Sequence, residues 1–391
     1  MITVEEARRI VMAQVPCTEP DTVPLSEALN AFVAMEVRAP FDHPLFDMSA
    51  VDGYAFAFDP KVTHWSIERT ISAGEAPAGR VGSTGCARIF TGAMLPPGTD
   101  SVVMQEFVTV QDGVMTHTDE HLVRGSNVRR KAEQVKQGEV ILQPGALVTP
   151  AVIGGLASAG VVSLSVKQVP KVAVLVTGNE FIELGKLVPG RIFNSNDVML
   201  DAALRSMGAP SDIAQVADDL QELVQAIDQA VSHSEVIITT GGASVGDHDL
   251  VHEAVLRAGG TVHFHGVAQK PGKPMLFASV GGRPFFGLPG NPRAVFVLFH
   301  EYVRPFLDAM RGAREPFGMV EHLPLGTSVQ VKGERAEFRA ARVRGGRVML
   351  LKDEGSHMLR SLMEADALVH LPGDRRSWQV DDPVEVHYLL R

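Results

Sequence analysis

Hydrophobic and polar positions follow three successive textures along the chain. Residues 3–15 place apolar side chains at helical spacing, and Thr3 with Glu6 three positions on forms a capping box. A second short helical piece is predicted over Ser26–Val33. Between about 41 and 125, short apolar runs (Ala87–Thr91, Ser101–Gln105, Val108–Gln111) alternate with turns such as Ser72-Ala73-Gly74, Pro96-Pro97-Gly98 and Asp112-Gly113, the texture of a β-rich module. The uncharged stretch from Val140 to Val166 is broken by Pro144, Pro150 and several glycines. Thr149 can cap a helix that has Pro150 at its first position and stops at Gly160, so a short buried helix followed by a strand is predicted, not a membrane span.

From Lys171 the pattern becomes strand–helix–strand. Val172–Val176 and Val236–Thr239 are continuous apolar runs, as in strands covered on both faces. Helices are predicted over Asn196–Met207, over Asp218–Val231 with Leu220, Leu223, Val224 and Ile227 on one stripe, and over Leu250–Ala258. A strand at Pro284–Leu288 feeds one long helix from Pro292 to Met310. This is an open α/β domain with a largely parallel sheet. Beyond about 315 short strands return (Ser328–Val331, Glu337–Val343, Arg347–Leu351, Pro383–Leu389), predicting a small β-barrel or sandwich. The expected fold class is multidomain α/β plus β. Residues 1–40 and 125–170 form an N-terminal connector, 41–124 a β-rich domain, 171–314 the α/β domain, and 315–391 the barrel.

Composition narrows the function. The 391 residues carry a formal charge of −10, which argues against a nucleic-acid binder. The two cysteines, Cys17 and Cys86, exclude a disulfide framework and a cysteine zinc cluster and suit a reducing cytoplasm. The amino terminus lacks an apolar signal core. Among fourteen histidines, His263 and His265 alternate along one strand face without a further ligand at suitable spacing, so no zinc site is expected.

Candidate chemistry gathers where strands end. Gly241 and Gly242 directly follow a buried strand, where glycine lets backbone N–H groups approach an anion. Ser244 can donate to a phosphate oxygen, and Asp247 and Asp249 could hold a divalent metal; a tight turn with Asp249 capping the next helix is the competing account. Thr177-Gly178-Asn179-Glu180 and Leu288-Pro289-Gly290-Asn291-Pro292 also sit at strand exits, and three turns at one sheet edge define a cleft. Lys270-Pro271-Gly272-Lys273-Pro274 fixes two cations on a stiff loop; beside the glycine turn they would neutralise phosphates, and a merely solvated loop is the competing account. Asp52-Gly53 reads as an exposed acceptor in a turn, and Arg129-Arg130-Lys131 as either a solvated face or a local anion site.

In one order along the chain, Asp47–Ala55, Thr91-Gly92-Ala93 with Pro97–Glu106, Thr177–Glu180, Gly241–Asp249, Lys270–Pro274, Leu288–Pro292, Gly355-Ser356 and Ser361–Asp366 resemble the molybdopterin molybdenumtransferase family, the MoeA proteins, whose animal relative is the E domain of gephyrin. The resemblance spans essentially the whole chain. It implies a β-rich module, a helical/strand connector, a central α/β molybdopterin-binding domain and a C-terminal β-barrel, in a homodimer with the active site at the subunit junction. The implied reaction uses Mg2+ to cleave the pyrophosphate of adenylylated molybdopterin, inserts molybdenum from molybdate into the dithiolene, and releases AMP. By resemblance Asp52, Glu180 and Asp249 are catalytic, and Asp52, Asp219 and Asp249 bind metal. Thr91, Thr177, Gly178, Gly241, Gly242, Ser244, Lys270, Lys273, Pro289, Gly290, Asn291 and Pro292 bind substrate, and Arg339 and Ser356 bind molybdate. A molybdopterin adenylyltransferase upstream and apo-molybdoenzymes downstream are the implied partners, with a cytoplasmic location and no membrane or nucleic acid.

Two positions depart from the family pattern. Where members commonly carry Gly-Glu-Asp after the basic stretch, this chain reads Ala132-Glu133-Gln134, and a basic residue often found four positions before Lys270 is Gly266. The alternatives are therefore a non-catalytic pterin-binding scaffold, a paralogue specific for tungstate, and a hydrolase acting on another nucleotide pyrophosphate.

Overall fold

The structure is a computed structural model and describes residues 1–16, 18–242, 250–352, 355 and 357–389. At its centre is a six-stranded sheet in the order Ser211–Val216, Val172–Thr177, Val236–Thr240, Arg283–Leu288, Leu276–Val280, Thr261–His265. The first four strands are parallel; Leu276–Val280 reverses direction and Thr261–His265 reverses again. Alternation along Val172–Thr177 sends Val172, Val174 and Val176 into one core with Leu200 and Leu204. Ala173 and Leu175 enter a second core with Leu223, Ile227 and Val251. Burial on both faces explains the unbroken apolar run.

The long helix expected from Pro292 to Met310 is instead three pieces: Pro292–Leu298, a π-helical turn at Phe299–Val303, and Arg304–Met310. Pro305 supplies the reason, because it has no N–H to return to the Glu301 carbonyl in α-helical register. The helical piece expected over Ser26–Val33 shrinks to a single 3-10 turn at Leu25–Glu27, and Asn30 adopts φ +64° where a helix would have continued.

The C-terminal region closes into a barrel. Strands Arg347–Leu350, Ala336–Arg344, Ala367–Leu371, Pro383–Tyr388 and Val320–Pro324 pair in that order, and Leu325 bridges Val348 to close the ring. Val369, Val386, Leu371 and Trp378 fill its interior. Phe338, Ala340 and Leu368 face outward into the core shared with the α/β domain.

The β-rich module is a second six-stranded sheet whose two cores draw only on residues 51–128. The connector has its own core, centred on Leu25, Val148, Leu156 and Leu164. Packing moves two stretches across the expected boundaries. Helix Val4–Ala13, capped by Thr3 as predicted, buries Val4, Ala7 and Val11 in the α/β core and not in the connector. Val128–Arg129 pairs with Met48–Ser49, which ties the start of the basic stretch to the β-rich module. Among the described residues, no helix is long and apolar enough to cross a membrane.

Candidate active site at the strand exits

Three consecutive strand ends meet at one edge of the central sheet. Gly241, at φ +94°, lies so close to the end of Val172–Thr177 that an added Cβ would stand 2.4 Å from the Thr177 carbonyl oxygen and 2.6 Å from its Oγ1. Gly242 approaches the same hydroxyl, and a Cβ on Gly290 would lie 3.6 Å from the Gly241 Cα. Glycine is required here by space as well as by φ. The Gly241 N–H donates to the Leu288 carbonyl (3.2 Å), which links the second and third turns.

Asn196 locks this junction. Its Nδ2 donates to Thr240 Oγ1 at 2.8 Å and to the Gly290 carbonyl at 2.9 Å, and the side chain is buried. From sequence Asn196 was legible only as a helix start; its role comes from residues 44 and 94 positions away. Among the described residues, buried Thr177 Oγ1, Thr239 Oγ1 and Asn196 Oδ1 have no hydrogen-bond partner. Unpaired buried polar atoms cost stability, and a cluster of them at one edge is a usual mark of a ligand site.

Next to these turns is a cavity of about 200 Å³ lined by Lys270, Lys273, Pro289, Asn291, Arg293, Arg335, Glu337 and Arg339, among others. In a chain of net charge −10, five cations and a single carboxylate give this hollow a local excess of positive charge. Lys273 and Asn291, singled out from sequence, thus share a hollow, and Asn291 is joined to Gly241 through Gly290. Glu337 is buried and holds Arg339 (Nη2–Oε2, 2.6 Å) and, more loosely, Lys270 (3.6 Å). Arg339 therefore reaches the cavity with its charge partly matched. Arg293 is buried and donates to Ser361 Oγ (2.7 Å) and the Met358 carbonyl (3.2 Å), which anchors the segment that contains the Ser361–Asp366 motif. Glu337, Arg293 and Arg335 carried no local signal in the sequence.

The acidic candidates are dispersed. Glu180 is exposed, with Oε2 folded back over Gly178. Asp219 caps helix Leu220–His233, its Oδ1 accepting from the N–H groups of Gln221 (2.8 Å) and Glu222 (3.0 Å), a structural task that leaves Oδ2 as the oxygen for any metal. Asp52 lies in the β-rich module, where its Oδ1 accepts from Thr91 N (2.8 Å) and Thr91 Oγ1 (2.7 Å). The Thr91 backbone and hydroxyl bonds, with help from Arg88, hold its pKa below the ordinary carboxylate value. Gly53 beside it is obligatory, since a Cβ would fall 1.9 Å from the Val103 carbonyl oxygen. Ser244, Asp247, Asp249 and Ser356 lie outside the described residues.

The basic stretch differs from a free anion site. Arg130 pairs with Asp47 (2.9 Å) and Lys131 with Asp42 (3.2 Å), while Glu133 accepts from the Arg130 N–H (2.7 Å). Arg130 and Lys131 fasten the turn to the segment that carries Asp42 and Asp47. Ala132 sits at φ +61°, so the left-handed conformation that glycine favours is kept although the residue is alanine.

The chain matches known protein families along most of its length. Residues 2–160 match the MoeA N-terminal region (domain I and II), residues 173–309 a family described as "Probable molybdopterin binding domain", and residues 322–389 the MoeA C-terminal region (domain IV). The chain is 33% identical to the molybdopterin molybdenumtransferase of Haemophilus influenzae, covering 99% of this chain and 98% of that protein. It is also 33% identical to molybdopterin molybdenumtransferase 2 of Mycobacterium tuberculosis, covering 96% of each. A crystal structure of a molybdopterin biosynthesis MoeA protein from Pyrococcus horikoshii superposes with a TM-score of 0.81 at 29% identity, covering 99% of both chains.

Proposed function

Since the chain belongs to the molybdopterin molybdenumtransferase family and is a transferase of molybdenum cofactor biosynthesis, we propose that it takes adenylylated molybdopterin and molybdate, inserts molybdenum into the dithiolene and releases AMP. The observation that carries this reading is the interlock of the three strand-exit turns beside a cation-lined cavity. The Gly242 backbone N–H and the unpaired Thr177 hydroxyl would bind the diphosphate oxygens, with Gly178 and Gly241 giving the ligand room to approach. Lys270 and Lys273 would neutralise its charge, and the Pro289-Gly290-Asn291 turn would form the wall. Arg339, tethered by Glu337, supplies a positioned cation for molybdate, a tetrahedral dianion.

In their oxygen chemistry the carboxylates suit a hard divalent cation such as Mg2+, although within one chain the described ones stand apart. Asp52 stays ionised, uses one oxygen for Thr91 and keeps the other for a metal, and Glu180 and Asp219 add oxygen donors. A bound Mg2+ would offset charge developing on the bridging phosphate oxygens. The β-rich module keeps its own cores, and the family resemblance implies a homodimer in which Asp52 would meet a cradle at the junction of two subunits. The product would pass to apo-molybdoenzymes, and the substrate would come from an adenylyltransferase.

The test is incubation with adenylylated molybdopterin, Mg2+ and molybdate while following AMP and the activation of an apo-molybdoenzyme. Molybdate-dependent turnover is expected. AMP release indifferent to molybdate would make the protein a hydrolase, and binding without turnover would make it a scaffold. Mixing inactive Asp52→Asn and Lys273→Ala chains should restore activity if the site is shared, and no recovery would place both residues in one subunit.

A further inference from the structure

A second polar cluster lies on the outer face of the barrel, away from the strand-exit turns in sequence and independent of the reaction proposed for them. His370 and Glu385 are directly opposite each other on paired strands, and His387, two residues beyond Glu385, projects from the same face. His387 Nε2 lies 2.6 Å from Glu385 Oε1, and His370 Nδ1 lies 3.3 Å from the same oxygen. One ligand atom from each of the three falls within 4.8 Å of the others.

The surroundings hold these rings in place. Glu301, exposed by only 3%, accepts from His387 Nδ1 at 2.8 Å, which directs Nε2 toward Glu385. Arg8 pairs with Glu301 from the N-terminal helix. Phe338 stacks on His370 with ring centroids 4.9 Å apart, and the other nitrogen of that buried ring has no partner among the described residues. A cavity of about 220 Å³ reaches Glu385 and His387.

We propose that His370, Glu385 and His387 bind one divalent transition-metal ion of the zinc class, with a coordination position open to this cavity. Two imidazoles and one carboxylate suit zinc-like ions better than magnesium or calcium. Bonds of about 2.1 Å in tetrahedral geometry place ligand atoms roughly 3.4 Å apart, so the present spacings, 2.6 Å, 3.3 Å and at most 4.8 Å, need changes of up to about 1.4 Å. Glu301 then plays the part of the carboxylate that orients a metal-bound histidine. Burial favours the neutral His387 ring, but its hydrogen bonds to Glu301 and Glu385 raise the pKa to about 9, so the metal competes with a proton.

The test is a Co2+ titration of the full chain, freed of metal by a chelator, at about pH 8, read by the visible bands of four-coordinate Co2+ and by displacement with Zn2+. One tight equivalent is expected. His370→Gln and Glu385→Gln should each weaken it by at least about 100-fold, and Glu301→Gln by about 10–100-fold. Thermal melts check folding; should a barrel variant not fold, Glu301→Gln and the wild-type stoichiometry and spectrum decide. Tight binding that survives every substitution, or no four-coordinate spectrum in the wild type, would overturn the assignment.

Discussion

The strand-exit turns and the histidine cluster differ in what their polar atoms face. At the turns, the chain brings its own backbone together through glycines and leaves Thr177 Oγ1, Thr239 Oγ1 and Asn196 Oδ1 without partners among the described residues. On the barrel, side chains from three regions, Arg8, Glu301 and the pair Glu385 and His387, hold one another. One strand contributes to both: Ala336–Arg344 turns Glu337 toward Lys270 and the neighbouring Phe338 onto His370. The first arrangement leaves several polar atoms ready for a ligand, and the second satisfies most of its own atoms, His370 Nε2 apart, and would admit an ion by exchange.

The comparison is most exposed to failure at Gly241. An alanine there meets the Thr177 carbonyl at 2.4 Å with φ at +94°, so Gly241→Ala must displace one of the turns. AMP release is expected to fall by at least about 100-fold, since displacements near 1 Å at a reacting centre carry that cost. Gly185→Ala is the control: its φ is +86° but nothing lies within 4 Å of the new Cβ, so only the backbone cost of about 1 kcal/mol is expected in urea unfolding. Equal activity in the two variants would dissolve the cradle.

A smaller effect is expected from Asn196→Ala, which removes two buried hydrogen bonds to Thr240 and Gly290. Stability should fall by about 2 kcal/mol. The KM for the pterin substrate should rise more than kcat falls, because the turn is loosened and no reacting group is lost. A change confined to melting temperature, with KM intact, would leave Asn196 a purely structural clamp.

The two regions also differ in how far sequence discloses them. The strand exits are written in contiguous segments, Thr177–Glu180, Gly241-Gly242 and Leu288–Pro292, each placed by the apolar run before it. Strand periodicity and glycine sterics are local, and they put all three at one edge. The cluster on the barrel is assembled from positions as far apart as Glu301 and His387, and Ala367–Leu371, which carries His370, was not among the predicted strands. Fourteen histidines gave no spacing that would single out His370 and His387; only the cross-strand register does so. The same limit hid Glu337 behind Arg339 and the π turn that Pro305 imposes on a helix whose apolar pattern runs on unbroken.

The smallest effect expected tests a place where sequence and geometry disagree. Ala132 occupies φ +61°, within a turn fastened by Arg130–Asp47 and by the Glu133 carboxylate on the Arg130 N–H. A non-glycine residue in this region carries about 1–2 kcal/mol of strain. Glycine removes it but gives the unfolded chain back about 0.4–1 kcal/mol of conformational freedom. Ala132→Gly should therefore stabilise the protein by roughly 0.5–1 kcal/mol, read as a higher urea midpoint at unchanged slope. Its AMP release should match the parent, because the neighbouring cations are already occupied by Asp47 and Asp42. A gain in turnover would instead mean that strain at this turn reaches the catalytic carboxylates, and would make the basic stretch part of the site that the strand exits begin.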